Sequence, residues 1–194
     1  MKYLCVFCGS SKGGPGVYAE AARQFGQGLA ARGLGLVYGG GHVGLMGILA
    51  DAALQAGGPV IGVIPRSMVE RELAHRQLTE LHVVETMHQR KALMADRSDG
   101  FAALPGGFGT ADELFEILTW AQLGLHSKPI GLLNIAGFFD PLLTWLDQCV
   151  GQGFLRCEHR ELLQISPDAE ELFEMLLKTK SPPQIPKWIN AEDR

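Results

Sequence analysis

Short apolar runs bounded by glycine or proline alternate with amphipathic stretches of helical length along most of this chain, and that alternation constrains the fold more than any motif does. The runs fall at residues 3–7, 34–38, 60–64, 81–84, 101–104 and 130–133. Most are near-continuous Val, Ile, Leu and Phe, as strands covered on both faces require. Between them, residues 17–32 stop at Gly33, residues 45–55 stop short of Gly57, and residues 87–97, 110–123, 138–152 and 167–178 have the length and spacing of helices with one buried face. Such a β–α repetition predicts an α/β fold built on a doubly wound parallel sheet. The last helix is expected to start after Ser166 as N-cap, with Pro167 at its first position. Pro182, Pro183 and Pro186 cannot continue it, so residues 1–180 read as one domain and residues 181–194 as an extended arm.

Composition narrows the possible partners. Hydrophobic residues make up 46% and charged residues 20% of the 194, the balance of an ordinary folded chain long enough for one substantial core. A formal net charge of −4 offers no basic field to hold a nucleic-acid backbone, so nucleic acid is not an expected partner. A small anion remains open, because backbone N–H groups bind phosphate without help from net charge. No apolar stretch approaches the roughly 20 residues of a membrane span. Residues 1–5 run straight into a glycine turn without a signal-peptide pattern, and a cytoplasmic location is expected. The 4 cysteines form no disulfide framework. Cys5 and Cys8 straddle a strand end, Cys149 and Cys157 lack zinc spacing, and all read as reduced structural thiols with no metal.

In an open parallel sheet, ligands sit outside the carboxyl ends of the strands, and three glycine-rich loops are placed there. Cys8-Gly9-Ser10-Ser11 follows the first run and reads equally as an anion-lining turn or a turn with no ligand. Gly39-Gly40-Gly41-His42-Val43-Gly44 contains the literal spacing G-x-G-x-x-G. It follows the second run, however, and about 20 residues later no acid is available for a ribose hydroxyl, which disfavours a dinucleotide. What remains is a loop whose backbone can approach phosphate or sugar closely, or a packing turn. Pro105-Gly106-Gly107-Phe108-Gly109-Thr110 leaves a run and opens a strong helix, where free N–H groups and the helix dipole favour phosphate. It lacks the lysine and hydroxyl ending of a nucleoside-triphosphate loop.

Two readings of Glu113 stand at this point. Thr110-Ala111-Asp112-Glu113 fits a capping box, with Glu113 reaching back to the N-cap, but Glu113 also has Glu116 one turn on, so two carboxylates can face one cleft. Met87-His88-Gln89-Arg90-Lys91 follows the fourth run near a helix start. There Arg90 can clamp a carboxylate or phosphate and Lys91 can supply a point charge, or both belong to a solvated helix face. His88 alone is more often structural. Glu70, Arg71 and Glu72 read as surface charge by default.

Taken together, these segments resemble one family. Pro105-Gly106-Gly107-Phe108-Gly109-Thr110-Ala111-Asp112-Glu113 is similar to the LONELY GUY signature P-G-G-x-G-T-x-x-E. Cys8-Gly9-Ser10-Ser11, Tyr38-Gly39-Gly40-Gly41, Gly44-Leu45-Met46-Gly47, the Arg90-Lys91 pair and Thr119-Trp120-Ala121-Gln122-Leu123-Gly124 follow in the family's order over roughly residues 1 to 180. The resemblance implies a Rossmann-like fold and a homodimer. It also implies hydrolysis of cytokinin riboside 5′-monophosphates or AMP to free base and ribose 5-phosphate, with no metal or redox cofactor. It makes Arg90 and Glu113 the catalytic pair, and it gives substrate binding to Glu72, Lys91, Gly106, Gly107, Phe108, Gly109 and Thr110, joined by Gly9, Ser10, Gly40 and Gly41 from the other two glycine loops. Asp112 stands where many members have glutamate. Members often carry a lysine-decarboxylase label, but no lysine here sits in a pyridoxal-phosphate context. The competing class is a non-catalytic carrier of a phosphorylated ligand, resembling molybdenum-cofactor carriers.

Overall fold

The central strands of this molecule are apolar along their whole length because helices cover both of their faces. The computed structural model describes residues 1–69 and 73–179. Its strands are β1 (Tyr3–Phe7), β2 (Gly35–Tyr38), β3 (Val60–Pro65), β4 (Glu80–Val84), β5 (Gly100–Ala103), β6 (Ile130–Leu133) and β7 (Leu163–Ser166). All pair in parallel in one 7-stranded sheet of order β4-β3-β2-β1-β5-β6-β7. Leu4 of β1 stands opposite Leu36 of β2 on one side and Gly100 of β5 on the other.

The pleat of β1 shows how the two layers form. Leu4 and Val6 face one core with Leu36, Tyr38 and Leu104, against Phe25 and Leu29 of α1 (Gly16–Ala31), Leu49 and Ala50 of α2 (Gly44–Gln55), and Phe173 and Leu176 of α8 (Ala169–Lys178). Cys5 and Phe7 face the other, with Val37, Val63 and Phe101, against Met94 of α4 (Met87–Asp96), Leu114 and Ile117 of α5 (Phe108–Gln122), and Leu146 of α6 (Asp140–Gly151). Two one-turn helices, α3 (Arg66–Val69) and α7 (Cys157–Arg160), and a 3₁₀ turn at Ile135–Gly137 complete the described elements.

The observed elements correct the sequence reading in several places. Leu163–Ser166 is a strand that the apolar runs did not announce, since Gln164 and Ser166 break its pattern and only four residues carry it. Ser166 ends that strand and does not cap α8. Asp168 is the cap, accepting the Glu171 N–H at 2.9 Å, and Pro167 precedes it. Helix α5 begins at Phe108 behind Gly107, so Thr110 lies inside the first turn and no capping box forms there. The box belongs to α4, where Thr86 accepts the Gln89 N–H and the Gln89 side chain accepts the Thr86 N–H, each at 3.2 Å. The arm expected at residues 181–194 lies outside the described residues.

Candidate active site

The sheet reverses direction of growth between β1 and β5, where a parallel sheet opens a crevice beyond the strand ends. The loops after these two strands meet there. The Gly9 N–H donates to the Pro105 carbonyl at 3.0 Å, and the Gly9 carbonyl accepts the Leu45 N–H of α2 at 3.0 Å. A Cβ on Gly106 would stand 2.1 Å from Thr110 Oγ1 and 2.9 Å from the Gly9 nitrogen, so only glycine lets the two loops close. A cleft of about 290 Å³ results, with Gly9, Ser10, Tyr18, Gly106, Gly107 and Phe138 among its walls. Helix α5 opens on it behind Gly107 with no side chain capping its first turn, leaving N–H groups and a partial positive charge for an anion. Phe108 is 98% exposed at that end.

Arg90 of α4 and Glu113 of α5 come together in a buried pair. Arg90 Nη1 donates to Glu113 Oε1 at 2.8 Å, and both residues are 7% exposed. The Arg90 Nε donates to the Val63 carbonyl at 3.2 Å. The third constraint on the guanidinium is a missing side chain, since a Cβ on Gly39 would lie 1.8 Å from Arg90 Nη2. Glycine at the end of β2 is therefore what makes room for the arginine. Burial raises the Glu113 pKa above the ordinary carboxylate range, and the charge and hydrogen bond of Arg90 oppose that rise without cancelling it. The same carboxylate, after burial, helps push the neighbouring Cys8 thiol up, which leaves that cysteine an inert core residue.

The remaining residues singled out from sequence divide into those the fold brings to the cleft and those it does not. Gly9, Ser10, Gly106 and Gly107 line it, and Phe108, Gly109 and Thr110 form the first turn of α5. Gly40 and Gly41 are buried, and their loop is laced to residues 73–75: the His75 N–H donates to the Gly40 carbonyl at 2.9 Å and Gly41 bridges Ala74. His88 is exposed. Lys91 is held by Asp112 Oδ2 at 3.1 Å and Glu116 Oε1 at 3.0 Å, a pairing the sequence reading did not foresee although the i, i+4 spacing of the two acids signals it. Glu72, with Glu70 and Arg71, lies outside the described residues.

Beyond the glycine loops, His75 Nε2 meets Asp51 at 2.9 Å, and the His42 ring packs edge-on against His75. Although the ligating atoms of these three residues lie within 4.8 Å of one another, the Gln77 N–H donates to His75 Nδ1 at 3.2 Å. That leaves the proton on Nε2, where a metal would need a lone pair. Asp51 and His75 form a hydrogen-bonded tie between α2 and the segment that covers the second loop, with the His42 ring packed against it.

Comparison with known proteins places this arrangement in a family. A family model described as "Possible lysine decarboxylase" matches residues 46–176. A probable cytokinin riboside 5′-monophosphate phosphoribohydrolase of Oryza sativa subsp. japonica is 50% identical over 173 residues, 89% of this chain and 71% of the relative. A cytokinin riboside 5′-monophosphate phosphoribohydrolase of Arabidopsis thaliana is 48% identical over 173 residues, 89% of this chain and 81% of the relative. Among solved structures, the molybdenum cofactor binding protein of Rippkaea orientalis superposes with a TM-score of 0.69 at 22% identity, over 91% of this chain and 96% of that one. The molybdenum cofactor carrier protein of Chlamydomonas reinhardtii gives 0.69 at 20% identity, over 92% and 99%. The two solved structures share the fold, whereas the plant proteins share half the residues along nearly the whole chain, and on that ground the chain belongs to the LONELY GUY family of cytokinin riboside 5′-monophosphate phosphoribohydrolases.

Proposed function

We propose that this protein hydrolyses the N-glycosidic bond of purine riboside 5′-monophosphates, cytokinin ribosides or AMP, to free base and ribose 5-phosphate. The observation that carries the reading is a buried arginine–carboxylate pair joining α4 to α5, the helix whose uncapped N-terminus opens on the cleft at the switch point of the sheet. The family supports it, since the plant relatives carry that activity in their names.

Cleaving the bond to the base builds oxocarbenium-like positive charge on the ribose, and a fixed carboxylate in a dry site is the group that stabilises it. Glu113 is that carboxylate, facing the sugar or the attacking water. Arg90 keeps it ionised and fixed in place. Gly106, Gly107, Phe108, Gly109 and Thr110, with Gly9 and Ser10 opposite, hold the 5′-phosphate, and that binding energy positions the sugar. Water is the only co-reactant. A decarboxylase reading has less support: a lysine that forms a Schiff base must lose its proton, and although burial works against its charge, the half-buried Lys91 is held charged by hydrogen bonds to Glu116 and Asp112 that raise its pKa.

A homodimer is part of the same reading. Trp145 and Phe154 are 51% and 85% exposed. They flank a groove of about 460 Å³ lined with Phe115, Leu118 and Leu146, an apolar surface of the kind that subunits cover. The direct test of the activity is chromatography of free base after incubation with AMP, with isopentenyladenosine 5′-monophosphate and with the two nucleosides. Release from the monophosphates alone is the expected result.

A further inference from the structure

His75 is 1% exposed, in the connection from β3 to β4, and a polar ring is costly to bury unless its nitrogens are satisfied. Both are. Nδ1 accepts the Gln77 N–H at 3.2 Å, and Nε2 donates to Asp51 Oδ1 of α2 at 2.9 Å. The backbone around the same residue grips the loop after β2. The His75 N–H donates to the Gly40 carbonyl at 2.9 Å, and the Leu73 carbonyl accepts the His42 N–H at 2.9 Å. Residues 40–42 are thus clamped from outside, and the His75 side chain anchors the clamp to α2, the helix into which the loop runs.

The clamped loop shapes the slot that holds Arg90. Gly40 lies in the left-handed region at φ 72°, and a Cβ on it would stand 3.0 Å from Ile64 and 3.3 Å from the Val63 backbone, so the loop is seated directly on β3. Val63 is also the residue whose carbonyl accepts Arg90 Nε at 3.2 Å. One residue before Gly40, Gly39 leaves the room that Arg90 Nη2 fills. The guanidinium that meets Glu113 at 2.8 Å is therefore bounded by β3 and by this loop.

We propose that the Asp51–His75 pair is a positioning device for Arg90: it seats the loop of residues 39–42 on β3, and the seated loop keeps Arg90 in line with Glu113. Asp51 and His75 act through the loop and need no contact with the nucleotide. This role rests on the phosphoribohydrolase reading above and is compatible with contact between the same loop and the nucleotide. A loop that lifts away from β3 frees the guanidinium to leave Glu113, and a misplacement of about 1 Å in such a site slows turnover by up to about 10²-fold.

The test is steady-state base release by Asp51→Ala, Asp51→Asn, Gly39→Ala and the Asp51→Ala/Gly39→Ala double variant, with thermal unfolding of each. Asp51 is the residue to change, because its side chain is 42% exposed whereas His75 is in the interior. Asp51→Ala is expected to lower kcat by about tenfold. Asp51→Asn keeps an oxygen for the Nε2–H and retains most of the rate. Because Gly39→Ala already expels Arg90 from its slot, adding Asp51→Ala to it lowers kcat by no more than about twofold further. Independent effects would multiply to about a further tenfold and would overturn the proposal. Asp51→Ala protein that melts earlier but keeps its kcat overturns it too, by making the tie a matter of stability alone. A rise in KM at unchanged kcat does the same, by making the tie a support for nucleotide binding only. Equal losses in Asp51→Asn and Asp51→Ala would assign the effect to the charge and not to the hydrogen bond, against the proposal. Wild-type protein that releases no base is a separate outcome, which removes the phosphoribohydrolase reading and this role with it.

Discussion

At the scale of single residues, the account depends on Glu113 being both buried and ionised. Burial stabilises the proton on its carboxyl, and Arg90 works against that. Because the pKa in the folded protein is raised, the active ionised form is lost as pH falls through a value above the ordinary carboxylate range. The acid limb of kcat/KM should therefore lie higher than for an exposed glutamate, and a pH–rate profile of base release reads it directly. Glu113→Gln keeps the shape and one acceptor for the Arg90 N–H but removes the charge. Turnover is expected to drop by about 10²- to 10³-fold, with an unchanged circular dichroism spectrum. Sequence pattern could not decide between this residue as cap and as chemistry, because Thr110 to Glu113 satisfies the local capping spacing. What excluded the cap was a helix that starts two residues earlier, at Phe108.

The elements place these residues through close approaches that only glycine permits. Gly39→Ala puts a methyl where Arg90 Nη2 stands, so the guanidinium must leave its slot. We expect kcat to fall by about tenfold or more in this variant, with nucleotide binding by titration calorimetry little changed. Gly106→Ala instead pushes apart the loops after β1 and β5, and should weaken binding of ribose 5-phosphate together with turnover. The three loops were legible in the sequence as glycine clusters after apolar runs. The tie of the second loop to residues 73–75, through the Gly40 carbonyl and the His42 N–H, was not, since no local pattern encodes so distant a pairing. The strand Leu163–Ser166 escaped for a related reason, being an edge strand of four residues with polar positions.

For the molecule as a whole, the doubly wound sheet followed from the alternation of apolar runs and helical stretches. Burial of β1, β2, β3 and β5 on both faces is what wrote those runs into the sequence. Leu36 of β2, fully buried against the α1–α2 layer, is a direct probe of that core. Leu36→Ala should cost about 2–5 kcal/mol in denaturant unfolding. No helix among the described residues is long and apolar enough to cross a membrane. Light scattering of the purified protein is expected to give twice the 21.0 kDa chain mass. Trp145→Glu, placed on the apolar groove, should shift that toward the single chain while leaving the fold intact.

The central claim is the bond that is broken, and the most direct measurement follows free base and ribose 5-phosphate together after incubation with AMP, isopentenyladenosine 5′-monophosphate and the corresponding nucleosides. The account predicts equal amounts of base and ribose 5-phosphate from the monophosphates, with the nucleosides left nearly intact because they lack the group that the α5 N-terminus holds. Folded protein that binds the monophosphates but releases neither product would contradict it, and would make the site a carrier for a phosphorylated ligand.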